Sequence, residues 1–218
     1  GYSERPDGNN DAEWSDPAVQ ARLIHGALNT LQIHQPVLVG HSWAGSVALA
    51  YALNYPRHTG AVVLLSGASH PWRGTTAFYN RWPAIPVLGN LFLNMLLAPG
   101  FYFSAEDAIN SNFMPEAARP NYARDAGVAL LVRPGNWRAN AEDMRNLAVF
   151  LAQQKTRYGE INVNETPLTI ITSDSDRSVS AENHAYKLHK QVAGSELAVL
   201  RGAGHMPHHT RTGEIASL

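Results

Sequence analysis

A serine, two aspartates and a histidine hold the chemistry this sequence offers. Ser42 stands in the run Leu38-Val39-Gly40-His41-Ser42-Trp43-Ala44-Gly45, after a short apolar stretch and before an Ala-rich one. Asp174 and Asp176 follow the β-branched run Pro167-Leu168-Thr169-Ile170-Ile171-Thr172. His205 stands in Gly202-Ala203-Gly204-His205-Met206-Pro207-His208, after a second short apolar run at 196–200. A serine hydroxyl is a weak nucleophile near neutral pH. It needs a base to take its proton and an acid to hold that base in the right tautomer. Histidine and aspartate supply those two roles. The product would be an acyl transfer, in which a developing oxyanion needs preorganised donors worth about 2.7–4 kcal/mol of barrier each.

The elements around these residues are the ones that would position them. Residues 17–31 predict a helix: Ser15 and Asp16 are cap candidates, Pro17 suits the first turn, and Val19, Leu23, Ile24, Ala27, Leu28 and Leu31 recur at helical spacing. Residues 37–39 predict a strand, and 43–54 a helix apolar on most sides, hence a buried one, ended by Pro56. Ala61-Val62-Val63-Leu64-Leu65 reads as a buried strand, as do 167–172 and 196–200, with a helix over 181–192 between the last two. Each candidate group then lies just past the C-terminal end of a strand, where an open parallel sheet has its ligand crevice. No Asp or Glu follows the strand 61–65 through Trp72, so the acid is expected after the later strand.

These features together resemble the α/β-hydrolases. A strand turning sharply into a helix with serine at the apex is that family's nucleophile elbow, and serine, acid, histidine is its chain order. The usual pattern is G-x-S-x-G. Here the last position is Ala44 and glycine arrives at Gly45; the position wants a small side chain because helix and strand pack closely. Asp176-Arg177-Ser178-Val179 matches the family's D-x-x-V turn, which favours Asp176 over Asp174 as the acid. The resemblance implies a triad of Ser42, Asp176 and His205, with the backbone N–H of Trp43 as one oxyanion donor. A serine nucleophile argues against epoxide or haloalkane hydrolysis, which uses aspartate in this fold.

The resemblance also sets the expected architecture: an α/β-hydrolase fold, with a parallel sheet, flanking helices and an inserted helical lid, N-terminally incomplete. The opening run Gly1-Tyr2-Ser3-Glu4-Arg5-Pro6-Asp7-Gly8 resembles the family's G-x-S-x-R-P loop, which follows its fourth strand. The second oxyanion donor, which the family takes from a loop after an early strand, has no counterpart here. The four strands are expected in the order 37–39, 61–65, 168–172, 196–200. The strand 37–39 would then form an open edge, so that these 218 residues alone would be poorly soluble and nearly inactive.

Residues 1–69 and 166–218 are read as the hydrolase core and 70–165 as the lid. Between those bounds the α/β alternation stops and aromatics and Pro accumulate. Residues 82–105 contain no Asp, Glu, Lys or Arg, a length that could span a bilayer. Pro83, Pro86, Pro99, Gly89, Gly100, Asn90 and Asn94 argue for a folded lid instead, and no stable membrane insertion is expected. Candidate pocket residues are Trp72, Phe78, Trp82, Phe92 and Met95 in the lid and His41 beside the nucleophile; packing alone is the competing role for each.

Composition narrows the classes. The chain has 218 residues, net charge −1 and no cysteine. Near-neutral charge gives no electrostatic case for nucleic acid, and zero cysteines exclude disulfides and thiolate metal sites. His205, His208 and His209 form H-x-x-H-H, but no carboxylate accompanies them and Pro207 breaks the helix a zinc protease needs, so no metal is expected. Gly202-Ala203-Gly204 lacks the third glycine of a dinucleotide loop, and no cofactor is expected. Asn164-Glu165-Thr166 is a sequon followed by Pro167 and reads as incidental. No signal peptide is visible, which gives a cytoplasmic expectation.

The resulting expectation is a serine hydrolase cleaving an ester or similar acyl bond of a small to medium apolar molecule. Carbon–carbon bond hydrolysis, lactone hydrolysis and cofactor-free perhydrolysis share the fold and triad. The alternative is a non-catalytic ligand-binding relative, or an inactive fragment.

Overall fold

The structure is a computed structural model that describes residues 11–72, 78–85 and 87–218. The run 1–8 read above lies outside the described residues. Helix α1 spans Asp11–Trp14 and α2 spans Pro17–Thr30. Asp16 caps α2, its carboxylate accepting the Ala18 N–H at 2.8 Å, with Pro17 in the first turn where its missing N–H costs nothing. Strand β1, Val37–His41, leads into α3, Ala44–Asn54, and on to β2, Ala61–Leu65.

The chain between β2 and β3 is helical. It runs through α4 (Phe78–Arg81), a 3₁₀ turn (Trp82–Ala84), α5 (Leu88–Leu91), a π-helical turn (Phe92–Leu96) and α6 (Leu97–Phe113). It continues through α7 (Tyr122–Asp125), a 3₁₀ stretch (Val128–Val132), α8 (Pro134–Gln154) and a second 3₁₀ stretch (Lys155–Glu160). Strand β3 (Leu168–Ser173), α9 (Ala185–Gln191), β4 (Glu196–Leu200), α10 (Pro207–Thr210) and α11 (Thr212–Ala216) follow.

The four strands form one parallel sheet in the order β1-β2-β3-β4. Side chains alternate between its faces. On one face Val62, Leu64, Leu168 and Ile170 meet Ala48, Leu49 and Ala52 of α3, together with Tyr158, Leu188 and Val192. On the other, Leu65, Ile171 and Leu200 meet Ala203, with Ile215 of α11 packed against them. Burying each such aliphatic side chain contributes about 1.5–3 kcal/mol. Helix α3 is buried from Gly45 to Leu53, as expected of a helix apolar on most sides.

Two elements differ from the sequence reading. The apolar positions of α2 do not form a buried face: Ala21 is buried and Leu28 packs partly, while Leu23 and Ile24 are exposed. Helix α2 meets α3 through Ala21, His25 and Leu28, and Ile24 lines a surface hollow with Val39 of β1, where Val37 and Val39 are 62% and 61% exposed. The helix expected over 181–192 begins only at Ala185. His184, at its N-cap, is turned inward so that its Nδ1 accepts the N–H groups of Ser69 and His70, each at 3.2 Å. Among the described residues, no helix is long and apolar enough to cross a membrane.

Candidate active site

Ser42 stands at the β1–α3 turn with φ = +53°, a left-handed conformation that costs a non-glycine residue about 1–3 kcal/mol and persists only where the surroundings fix it. Its N–H donates to the Leu65 carbonyl at 3.1 Å, and its own carbonyl accepts from Ala68 N–H at 2.8 Å and Gly45 N–H at 3.0 Å. The turn is therefore laced to the end of β2. A Cβ on Gly45 would stand 2.6 Å from the Gly67 Cα, and one on Gly40 would stand 2.8 Å from the Ala44 carbonyl oxygen. The close approach that the elbow requires thus falls at Gly40 and Gly45. Ala44, read above as the position needing a small side chain, is exposed.

His205 joins the other two groups. Its Nδ1 lies 2.8 Å from Asp176 Oδ2, and its Nε2 lies 2.9 Å from Ser42 Oγ. With Nδ1–H donating to the carboxylate, the neutral ring presents Nε2 as acceptor to the serine hydroxyl. The other Asp176 oxygen accepts the N–H groups of Ser178 at 2.7 Å and Val179 at 2.8 Å, both from the turn that follows it. Burial works to raise the Asp176 carboxyl pKa, but the His205 bond and these N–H groups outweigh it and hold it below the usual carboxylate range. Asp174 does not reach the histidine; it accepts the Gly202 N–H at 2.7 Å and ties the acid loop to the turn after β4.

Trp43 is the N-cap of α3, so its N–H belongs to the helix end that lacks intrahelical acceptors. Its indole packs beside Ala68, Leu147 and Leu151. His41 donates from Nε2 to the His205 carbonyl at 2.8 Å, and its ring lies 4.3 Å from that of His208. Burial, chiefly, pushes His41 down to about 4, so it is neutral at pH 7 and serves as a donor.

The lid residues named as pocket candidates have the following described contacts. Trp72 donates from Nε1 to the Ser178 carbonyl at 2.9 Å and lies against His184, so it braces the acid loop. Trp82 and Phe92 meet edge to face at 5.4 Å. Met95 is 63% exposed. Phe78 opens α4, but its side chain lies outside the described residues.

The sequence reading missed residues that hold the histidine. Asn112 at the end of α6 accepts the His205 N–H at 3.0 Å, and Glu116 accepts from Thr210 Oγ1 and Arg211 Nε at 2.6 Å each. No local pattern marks either residue, because their partners lie some ninety positions away. Among the described residues no group of three or more His, Asp or Glu side chains converges to hold a metal ion.

With this geometry in hand, comparison with known proteins decides the family. The sequence pattern of the alpha/beta hydrolase family matches residues 1–218. The chain belongs to that family. Relatives include the 2-hydroxymuconate semialdehyde hydrolase of Pseudomonas putida, 34% identical over 93 residues, covering 42% of this chain and 31% of that protein. Another is the 2-hydroxy-6-oxo-6-phenylhexa-2,4-dienoate hydrolase of Comamonas testosteroni, 24% identical over 214 residues, covering 92% of this chain and 66% of that protein. The chain thus spans two thirds or less of the length of these curated relatives. Among solved structures, the 2-hydroxy-6-oxo-6-phenylhexa-2,4-dienoate hydrolase of Rhodococcus sp. strain RHA1 superposes with a TM-score of 0.75 at 19% identity, over 100% of this chain and 74% of that one. At that identity the likeness shows the α/β-hydrolase fold: a parallel sheet with flanking helices.

Proposed function

We propose that this α/β-hydrolase is a serine hydrolase in which Ser42 is the nucleophile, His205 the general base and acid, and Asp176 the group that orients the imidazole. One observation carries the reading: His205 bridges Ser42 Oγ at 2.9 Å and Asp176 at 2.8 Å, with the serine on a positive-φ turn. In the first step Ser42 Oγ bonds to the substrate carbonyl carbon while its proton passes to His205 Nε2. The leaving group then departs with that proton, giving an acyl-serine. Water attacks the acyl carbon, loses its proton to His205 and releases the acid, restoring Ser42. The Trp43 N–H faces the oxyanion formed in both halves. The helical segment 70–165 acts as a lid, with Trp72 holding the acid loop from above.

The relatives' names direct the choice of substrate. They are hydrolases of 2-hydroxymuconate semialdehyde and of a 2-hydroxy-6-oxo-dienoate. A small to medium molecule whose cleaved bond adjoins a carbonyl, whether in an ester or a 2-hydroxy-6-oxo-dienoate, fits the same chemistry. The test is covalent labelling with a fluorophosphonate, followed by turnover of a p-nitrophenyl ester series and of a 2-hydroxy-6-oxo-dienoate. Wild-type protein should label, and Ser42→Ala should lose both labelling and turnover. Labelling that survives Ser42→Ala overturns Ser42 as the nucleophile; wild-type protein that neither labels nor turns over points to a non-catalytic ligand-binding relative.

A further inference from the structure

His205 is anchored from the helical segment as well as from the sheet. Its N–H donates to the Asn112 carbonyl at 3.0 Å. The preceding residue, Gly204, lies so close to the segment that a Cβ there would stand 2.4 Å from the Met114 carbonyl oxygen and 2.5 Å from that of Phe113. Two residues beyond Met114 comes Glu116. Its carboxylate takes Thr210 Oγ1 and Arg211 Nε, on the far flank of His205, and the Gly204 backbone on the near flank helps keep it ionised. Tyr122 and His209 extend the same seam, with Tyr122 Oη 3.3 Å from His209 Nε2 and the Phe113 ring edge-on to Tyr122 at 4.9 Å.

The charge arrangement suits a strut. Burial would raise the Glu116 carboxyl pKa, but the bonds from Thr210 and Arg211 and the Arg211 charge outweigh it and keep the group ionised. Charge-assisted hydrogen bonds are short and about twice as strong as neutral ones, and the two side-chain bonds here are both 2.6 Å. Asp176 fixes the ring of His205 and nothing else of its loop. The backbone that places the ring between Asp176 and Ser42 is held by the segment's contacts together with the His41 bond to the His205 carbonyl.

We propose that Glu116 is a positioning residue for His205, pinning the far flank of the histidine loop to the same segment whose backbone meets Gly204 and His205, so that the ring stays in register with Ser42 and Asp176. The inference rests on the triad reading above. It makes the helical segment part of the catalytic framework as well as a cover: any movement of residues 112–116 moves the general base.

The test uses Glu116→Ala, Glu116→Gln and Arg211→Ala beside wild type and Ser42→Ala. Three quantities are read: the rate constant for fluorophosphonate labelling of Ser42, kcat and KM on an ester, and the low-field proton resonance of the His205 Nδ1–H bonded to Asp176. A 1 Å misplacement of a reacting group can cost about 100-fold, so Glu116→Ala should slow labelling and kcat by about 10- to 100-fold with KM nearly unchanged. It should also broaden or erase the low-field resonance. Glu116→Gln, which keeps an acceptor at the same reach, should recover part of the rate. Arg211→Ala strikes the strut from the other side and should lower kcat in the same direction, so the question stays decidable if Glu116→Ala does not fold. A folded Glu116→Ala, or Arg211→Ala where the former does not fold, with wild-type labelling and an intact low-field resonance overturns the proposal while leaving the triad standing. Labelling that persists in Ser42→Ala overturns both.

Discussion

The C-terminal end of the sheet and the helical segment that follows β2 are built on opposite terms. At the sheet end many polar groups are buried and paired, though Ser66 Oγ, Ser173 Oγ and His208 Nδ1 are buried with no hydrogen-bond partner among the described residues. Ser42 is tied to Leu65 and Ala68, Asp176 to Ser178, Val179 and His205, and Ser69 to the His184 carbonyl and the Tyr158 hydroxyl. The segment reverses this: Ile85, Val87, Leu88, Leu91, Met95, Leu96 and Phe103 are apolar and exposed, Val87 by 80%. The difference teaches where precision comes from. A strand end carries backbone donors and acceptors fixed by its neighbours, on both sides for β2 and β3 and on one side for β1 and β4, so loops attached to it inherit fixed positions. Short helices and 3₁₀ turns leave most of their end N–H and C=O groups without intrahelical partners, which exposed positions can give to solvent. The segment is held to the core by α8, through Leu147, Leu151 and Gln154, and at 112–122 it meets the histidine loop.

The largest effect should follow from disturbing the sheet end chemically without moving it. Asp176→Asn keeps the shape but offers an amide where His205 Nδ1–H needs a carboxylate, and the wrong tautomer should lower kcat by about 10⁴-fold. Circular dichroism should show the fold retained. A loss below tenfold would mean that another group orients the ring.

Acid should break the same region through its histidines. His41, His70, His184 and His208 are each pushed from 6.5 down to about 4, chiefly by burial. The unfolded chain therefore binds protons that the fold refuses. Stability from these groups is whole above pH 6.5 and drains away as pH falls from 6.5 toward about 4. Asp176 and Glu116, with lowered pKa values, add to the loss further down, as pH falls from their unfolded values through their folded ones. The unfolding midpoint should fall steadily between about pH 7 and about pH 4.5. A flat profile would show these four rings to be hydrated and the sheet end looser than its hydrogen bonds suggest.

The smallest effect belongs to the segment's outer surface. Ile170→Ala, in the centre of the sheet, should cost about 2–5 kcal/mol by denaturant titration. Met95→Ser should stay within about 0.5 kcal/mol. A cost near 2 kcal/mol for Met95→Ser would reveal that this surface is covered in the working protein, and the contrast between the two regions would narrow.

The sequence by itself determined what depends on neighbours a few positions apart. The elbow was legible because strand, glycine, serine and helix follow one another directly, and the strands themselves from apolar runs of the right length; their order came from the family resemblance. Asp176 was preferred over Asp174 because Asp176-Arg177-Ser178-Val179 matches the family's D-x-x-V turn, and in the structure that turn supplies its backbone donors. Only the tertiary structure decided which apolar faces are covered. Leu23 and Ile24 recur at helical spacing, yet α2 touches α3 along a seam that reaches little beyond Ala21 and Leu28. It alone decided that Trp72 braces the acid loop, 106 positions away, and that His41 bonds the His205 carbonyl across 164. It alone brought Glu116 to Thr210 and Arg211, across 94 and 95 positions. The reason is physical. A carboxylate on a loop has no periodicity and no local partner, so nothing near it in the chain records which distant donors will surround it once the helices pack.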